Sequence, residues 1–423
     1  MTEQLKLKLN DSKATRWGAL VIVAFTMMAA YYVNDVVAPL KTMLETDLAW
    51  SSTDFGFFTG GYSFLNVFFL MLIWGGLILD RFGIRFTGKL ATILMVGGTA
   101  LEYYAMTGLA GADATLFGIN EIFGYKTGVF VAFAGYSIFG VGAEVAGITV
   151  SKIIAKWFKG KELATAMGVQ VALARIGSQA GYAVAIPLAR AFGISTPVLL
   201  GLVLLLGGMI AFFIFAVMDK KLDKQMEAAA IAAGTEDEEE KFSFKDVKNI
   251  LVNPGFWLIA LLCVLFYSCV FPFQKFASEL MIIKYGINEN VAGTFAGLPA
   301  LGALILTPVF GGFIDKRGKS ASIMLLGSAM LICVHFIYAI PDINYWLVAI
   351  VLMIILGIAF SLVPSAMWPA VAKIFPVSQL GTAYALIFFI QNIGLWGIPT
   401  LIGWVLDAYC ICLLYTSDAA DDK

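Results

Sequence analysis

Long apolar runs separated by short polar breaks dominate the chain. Six runs long enough to cross a bilayer lie at about 17–40, 55–79, 88–107, 129–151, 163–187 and 196–218. Five more lie at about 255–283, 291–314, 321–340, 346–372 and 380–406. A spanning helix needs about 20 apolar residues. These runs are continuous rather than alternating, so they read as helices and not as barrel strands. The pattern predicts an all-α membrane protein with a bundle over 1–218, a polar linker over 219–253 and a second bundle over 254–411.

Composition agrees. Of 423 residues, 60% are hydrophobic and 13% charged, and the mean hydropathy is +0.87. A soluble domain carries about twice that charge. A soluble enzyme, a nucleic-acid partner and a disordered chain are therefore not expected. Five cysteines make no disulfide framework. Cys263, Cys269 and Cys333 fall in apolar runs and read as small hydrophobes. The polar N-terminus leads into a run too long for a signal peptide. Residues 412–423 resemble an in-frame sequencing-library adapter, so the natural sequence is expected to end near Ile411, short of a twelfth span.

Charge placement sets an expected orientation. With the N-terminus inside, the inner segments carry 21 lysines and arginines and the outer segments 5, among them Lys41 and Lys275. That bias places the N-terminus and the linker in the cytoplasm. The acidic run Glu236–Glu240 and its flanking lysines read as a solvated tether. The connection over 107–128 is the longest outer loop and could cover a mouth on that side.

Ionisable groups inside spans are costly and default to functional hypotheses. Asp35 and Glu102 fall toward the outer ends of spans 1 and 3, Glu144 within span 4 and Arg175 near the middle of span 5. Spans 4 and 5 are consecutive and antiparallel, so Glu144 and Arg175 can face one cavity. Arginine binds a carboxylate bidentately, and a glutamate can hold an ammonium. The pair suits a zwitterionic substrate; the alternative is mutual neutralisation with a gating role. Asn66, Gln170, Gln179, Gln391 and Asn392 read as cavity donors or interhelical bonds. His335, the single histidine, reads as a hydrogen-bonded interior residue. Pro272, Pro364 and Pro369 predict kinks, and Pro272 is a candidate gating element. No paired catalytic groups or metal-ligand spacing occur, so no enzyme activity, metal or cofactor is expected.

A repeat relates the two halves. Gly76, Asp80, Arg81, Gly83 and Arg85 follow span 2; Gly311, Asp315, Lys316, Gly318 and Lys319 follow span 8 in the same order. Glycine lets helix ends approach, and the charges anchor a turn at the membrane surface. This pair resembles the inner-loop signature of the major facilitator superfamily, which implies two six-helix bundles around a central site and gating roles for these residues.

Further strings narrow the resemblance. They are Tyr62-Ser63 with Asn66, Phe139 to Glu144, Trp157 to Leu163, Gly168 to Gln170, Ala174 to Ser178, Val270 to Phe273, Ala366 to Pro369, Gln379 to Tyr384 and Gln391-Asn392. Together these resemble the lysosomal dipeptide transporter branch. The resemblance implies alternating-access transport of a dipeptide by a monomeric carrier in the bilayer, with Glu144 and Arg175 as the paired charges. Asn66, Gln170, Gln391 and Asn392 are the further candidate substrate contacts, and Asp35 is a candidate contact or proton site. Pro39 follows Asp35 more distantly than the branch pattern has it, which bears on the shape of span 1. The absence of an Asn-x-Ser/Thr sequon in the outer loops points to a bacterial inner membrane. A carrier of small organic anions or drugs, proton-coupled or not, is the competing expectation.

Overall fold

The computed structural model describes residues 9–111, 114–158, 161–233, 244–375 and 377–421; within these, a few side chains, including Asp315 and all from 410 onward, are not described. The adapter-like tail and Glu236–Glu240 thus lie outside the described side chains.

Every apolar run is helical. The first forms α1 (Lys13–Val36), capped by Ser12, whose hydroxyl accepts from the Thr15 amide. Pro39 then shapes a single 3-10 turn, and α2 (Lys41–Leu48) carries the chain to the end of the span. The second and third runs form α3 (Ser52–Phe68) and α4 (Met71–Thr107). Ser51 and Asp54 make a reciprocal capping box at the start of α3. The chain bends 59° between the two helices. It breaks again within α4 at Gly83, where φ is 75° and ψ 172°. A side chain rarely adopts that backbone, which accounts for the glycine.

Next come α5 (Thr127–Trp157), α6 (Leu163–Phe192) and α7 (Thr196–Ala233). Helix α7 continues well past residue 218, so the stretch read as a linker begins as helix. Asp219 there is fully buried, not solvated. It accepts from Lys156 Nζ at 2.7 Å and Trp157 Nε1 at 2.9 Å, which docks α7 on α5.

The second half contains α8 (Phe244–Val252), α9 (Pro254–Ile283), α10 (Glu289–Ala296), α11 (Leu298–Arg317), α12 (Ser320–Ala339), α13 (Trp346–Ile374) and α14 (Val377–Asp421). The run at 291–314 is divided between α10 and α11 at Gly297. Gly318, at φ 66°, ends α11. It occupies the same place in this half that Gly83 holds in the first, so the repeat is one of backbone geometry as well as residue type.

Among the described residues two large hydrophobic cores result, one built mainly from α1–α7 and one from α9–α14, with a small cluster of Ile314, Ile323, Leu362 and Ala366 in the second half. The bundles meet along α3 with α14, and α6 with α10 and α11. Small residues permit the first seam: a Cβ on Gly60 would lie 2.6 Å from the Trp396 carbonyl oxygen. The connection between α4 and α5 contains a hairpin of β1 (Glu121–Ile122) and β2 (Tyr125–Lys126). It rests on the first bundle, where Tyr125 stacks on Phe57 at 3.9 Å and Lys126 Nζ donates to the Ala49 carbonyl.

Candidate functional site

A cavity of about 610 Å³ lies between the bundles, within the usual range for small-ligand sites. α5 and α6 of the first bundle present Glu144 and Arg175 to it. Glu144 accepts a hydrogen bond from the Tyr62 hydroxyl at 3.0 Å. The Arg175 guanidinium lies 5.5 Å from the Tyr31 ring and 5.0 Å from the Phe360 ring of the second bundle. Among the described residues, no acceptor takes a hydrogen bond from this guanidinium, and Glu144 forms no ion pair within 4 Å. The two charges share the cavity without neutralising each other directly. Five N–H donors and a carboxylate facing one space can hold an anion and a cation at once.

The remaining candidates divide. Gln170 and Gln391 line the cavity, and Cys263 donates to Gln391 Oε1 at 3.3 Å. Pro272 lines it too. Asp35, Asn66 and Asn392 do not. Asp35 is 7% exposed and is occupied by Ser178 Oγ at 2.5 Å, Asn34 Nδ2 at 2.8 Å and Lys275 Nζ at 3.1 Å. Asn392 turns back on its own helix to the Phe388 carbonyl. Asn66 is buried with neither side-chain polar atom partnered. Gln179 bridges the bundles, donating to the Thr294 carbonyl at 3.3 Å. His335 lies between the Leu331 and Cys269 carbonyls, outside the cavity lining.

Two lysines counted with the outer loops belong to the interior. Lys275 is 8% exposed and lines the cavity. Lys41 is 1% exposed. Lys275 falls inside the apolar run at 255–283, a signal that a loop count passes over. Lys41 Nζ is 2.5 Å from both Glu45 and Glu279, and Ser52 Oγ is 2.8 Å away. Arg190 pairs with Glu289 across the bundles, and the Ser52 and Thr53 amides donate to Asp407 on α14. These ionic and charge-assisted contacts lie at the ends of the helices remote from the linker. At the linker face, the ion pairs among described residues stay within the first bundle: Arg16–Glu162, Lys161–Asp11, Lys152–Asp80 and Arg85–Asp223. The two bundles are therefore tied together by charged groups at the end remote from the linker.

The model of the family described as Major Facilitator Superfamily matches residues 20–397. The chain belongs to that superfamily. Among its relatives is the lysosomal dipeptide transporter MFSD1 of Homo sapiens, 29% identical over 409 residues, spanning 93% of this chain and 81% of that one. The transporter of the same name from Danio rerio is 28% identical over 399 residues, spanning 92% and 80%. Solved structures share the fold. A bacterial homolog of the human lysosomal transporter Spinster, inward-facing and unoccupied, superposes with a TM-score of 0.68 at 15% identity over 97% of this chain and 86% of its own. The inward-open xylose transporter XylE from E. coli gives 0.66 at 15%, over 92% and 89%.

The superfamily's loop residues occupy the linker face. Asp80 accepts from Lys152 Nζ at 2.9 Å, and Arg85 reaches Asp223 at 2.8 Å. The Arg81 guanidinium lies 5.5 Å from the Phe82 ring. Nothing packs within 4 Å of where a Cβ would stand on Gly76. Lys316 is exposed, and the Asp315 side chain lies outside the described residues. Glu162, in the turn between α5 and α6, accepts from Arg16 at 3.0 Å and Trp17 at 3.2 Å. These bonds hold its carboxyl below the usual carboxylate range.

Proposed function

We propose that this chain is a facilitative carrier of dipeptides working by alternating access. The observation that carries the reading is the pair Glu144 and Arg175, open to one cavity and not bonded to each other. A dipeptide offers an ammonium and a carboxylate whatever its side chains. Arg175 receives the carboxylate through its free donors, and Glu144, held by the Tyr62 hydroxyl, receives the ammonium. Free amino acids place the two charges too close together, and longer peptides too far apart. The relatives named as dipeptide transporters support this substrate class.

With the linker face in the cytoplasm, as the lysine and arginine distribution indicates, the charged contacts between the bundles lie on the outer side. Transport then requires Lys275–Asp35, Lys41–Glu279 and Arg190–Glu289 to part while the linker face closes. The protein works as a monomer, and a bacterial inner membrane is its proposed location.

The test is binding of one dipeptide beside its N-acetylated and C-amidated forms. Each charge-assisted bond contributes roughly 1.5–3 kcal/mol, so blocking either terminus should weaken binding about tenfold to a hundredfold. Glu144→Gln should remove the penalty for N-acetylation, and Arg175→Gln that for C-amidation. Unchanged wild-type affinity for either blocked form rejects the paired-charge reading. Uptake of an organic anion that survives Glu144→Gln would favour the organic-anion carrier instead.

A further inference from the structure

The cavity is chemically lopsided. Both charges free to meet a substrate, Glu144 and Arg175, belong to the first bundle. The second bundle contributes Lys275, already engaged by Asp35, and otherwise neutral groups dominated by Tyr267, Phe271, Trp368 and Phe388.

These four rings form a fixed surface. Phe271 stacks on Tyr267, with centroids 5.5 Å apart and planes at 20°. Trp368 stacks on Phe388 at 4.8 Å and 28°. The two pairs are joined by the Trp368 indole N–H, which donates to the Tyr267 hydroxyl at 3.3 Å. Tyr384 donates to the Trp368 carbonyl at 3.0 Å and secures the same helix from α14. The indole N–H is thus spent within the wall, and ring faces and edges are what Trp368 has left to offer a ligand. Such rings favour a second ring in offset or edge-to-face contact, while their electron-rich faces repel a carboxylate.

We propose that the two bundles divide recognition: the first holds the dipeptide termini, and the wall of Trp368, Phe388 and Phe271 reads a side chain. This rests on the dipeptide reading above and deepens it. Aromatic side chains bind best, glycine binds through its termini alone, and acidic side chains bind worst. The acidic penalty has two sources, the ring faces and the Glu144 carboxylate on the opposite wall.

The experiment compares Gly-Phe, Gly-Leu, Gly-Gly and Gly-Asp binding to the purified full chain in lipid nanodiscs. Wild type should bind Gly-Phe roughly three- to tenfold more tightly than Gly-Gly, with Gly-Asp weakest. Trp368→Leu and Phe388→Leu should each shrink the Gly-Phe advantage over Gly-Gly to about twofold or less. Trp368→Tyr should keep most of the advantage and provides the arm in which the wall stays filled by a ring. Equal wild-type affinity for Gly-Phe and Gly-Asp would overturn the proposal. So would an intact Gly-Phe preference in both leucine variants. Failure of all four dipeptides to bind wild type would instead reject the dipeptide reading, and with it the role given to the wall.

Discussion

The Arg175 guanidinium of the first bundle lies 5.0 Å from the Phe360 ring of the second and 5.5 Å from the Tyr31 ring. The group proposed to hold the substrate carboxylate therefore also touches the moving partner bundle. A cation over a ring is worth about 0.5–2 kcal/mol, more when desolvated. Phe360→Leu keeps an apolar contact and removes the ring. Dipeptide binding should weaken about two- to tenfold, and the distinction between free and C-amidated dipeptide should narrow. Titration of both ligands against the variant checks this; an unchanged ratio would show that Phe360 does not orient Arg175.

Helix α3 approaches α14 closely at Gly60, where a Cβ would meet the Trp396 carbonyl oxygen at 2.6 Å and Thr400 Oγ1 at 3.1 Å. Gly60→Val should push this seam apart and favour opening at the face remote from the linker. In a cysteine-free background, Ser63→Cys lines the cavity. Its labelling by an impermeant maleimide from that face should rise several-fold when Gly60→Val is added. Equal labelling rates would show that the seam accommodates the branch.

Lys275 and Asp35 form a buried pair at 3.1 Å across the bundles. Removing one partner strands the other charge, at a cost of roughly 3–5 kcal/mol. Lys275→Met should lower the thermal midpoint clearly. The double variant Lys275→Met, Asp35→Asn should recover part of the loss, because no uncompensated charge remains. Additive effects would mean that the two residues act independently.

Glu162 gives a pH-dependent contribution at the linker face. Arg16 and Trp17 donate to its carboxylate, so its folded value lies below the unfolded one. The stabilisation is complete above the ordinary glutamate range, about 4.3, and fades as pH falls through the lowered folded value. The stability difference between wild type and Glu162→Gln should be flat from neutral pH to about 5 and shrink below about 4. A difference that grows on acidification would contradict the assigned direction.

The run pattern alone determined the helices, the division into two halves and the candidacy of Glu144 and Arg175. Lipid forces these outcomes locally: an apolar run must close its own backbone hydrogen bonds, and a charge inside it must face the protein interior. The repeat around Gly83 and Gly318 was legible for the same local reason, since a backbone at positive φ selects glycine. Which polar groups share a space was a tertiary matter. Asp35 and Asn66 have the same sequence signature as Gln170, yet helix rotation buries the first two and turns the third into the cavity. Lys275 read as an outer charge until packing placed it against Asp35. The approach of α9 to α1 brings those residues together, and it is not encoded within a single run. The aromatic wall likewise draws on three helices, α9, α13 and α14, so its rings meet only once the second bundle has formed.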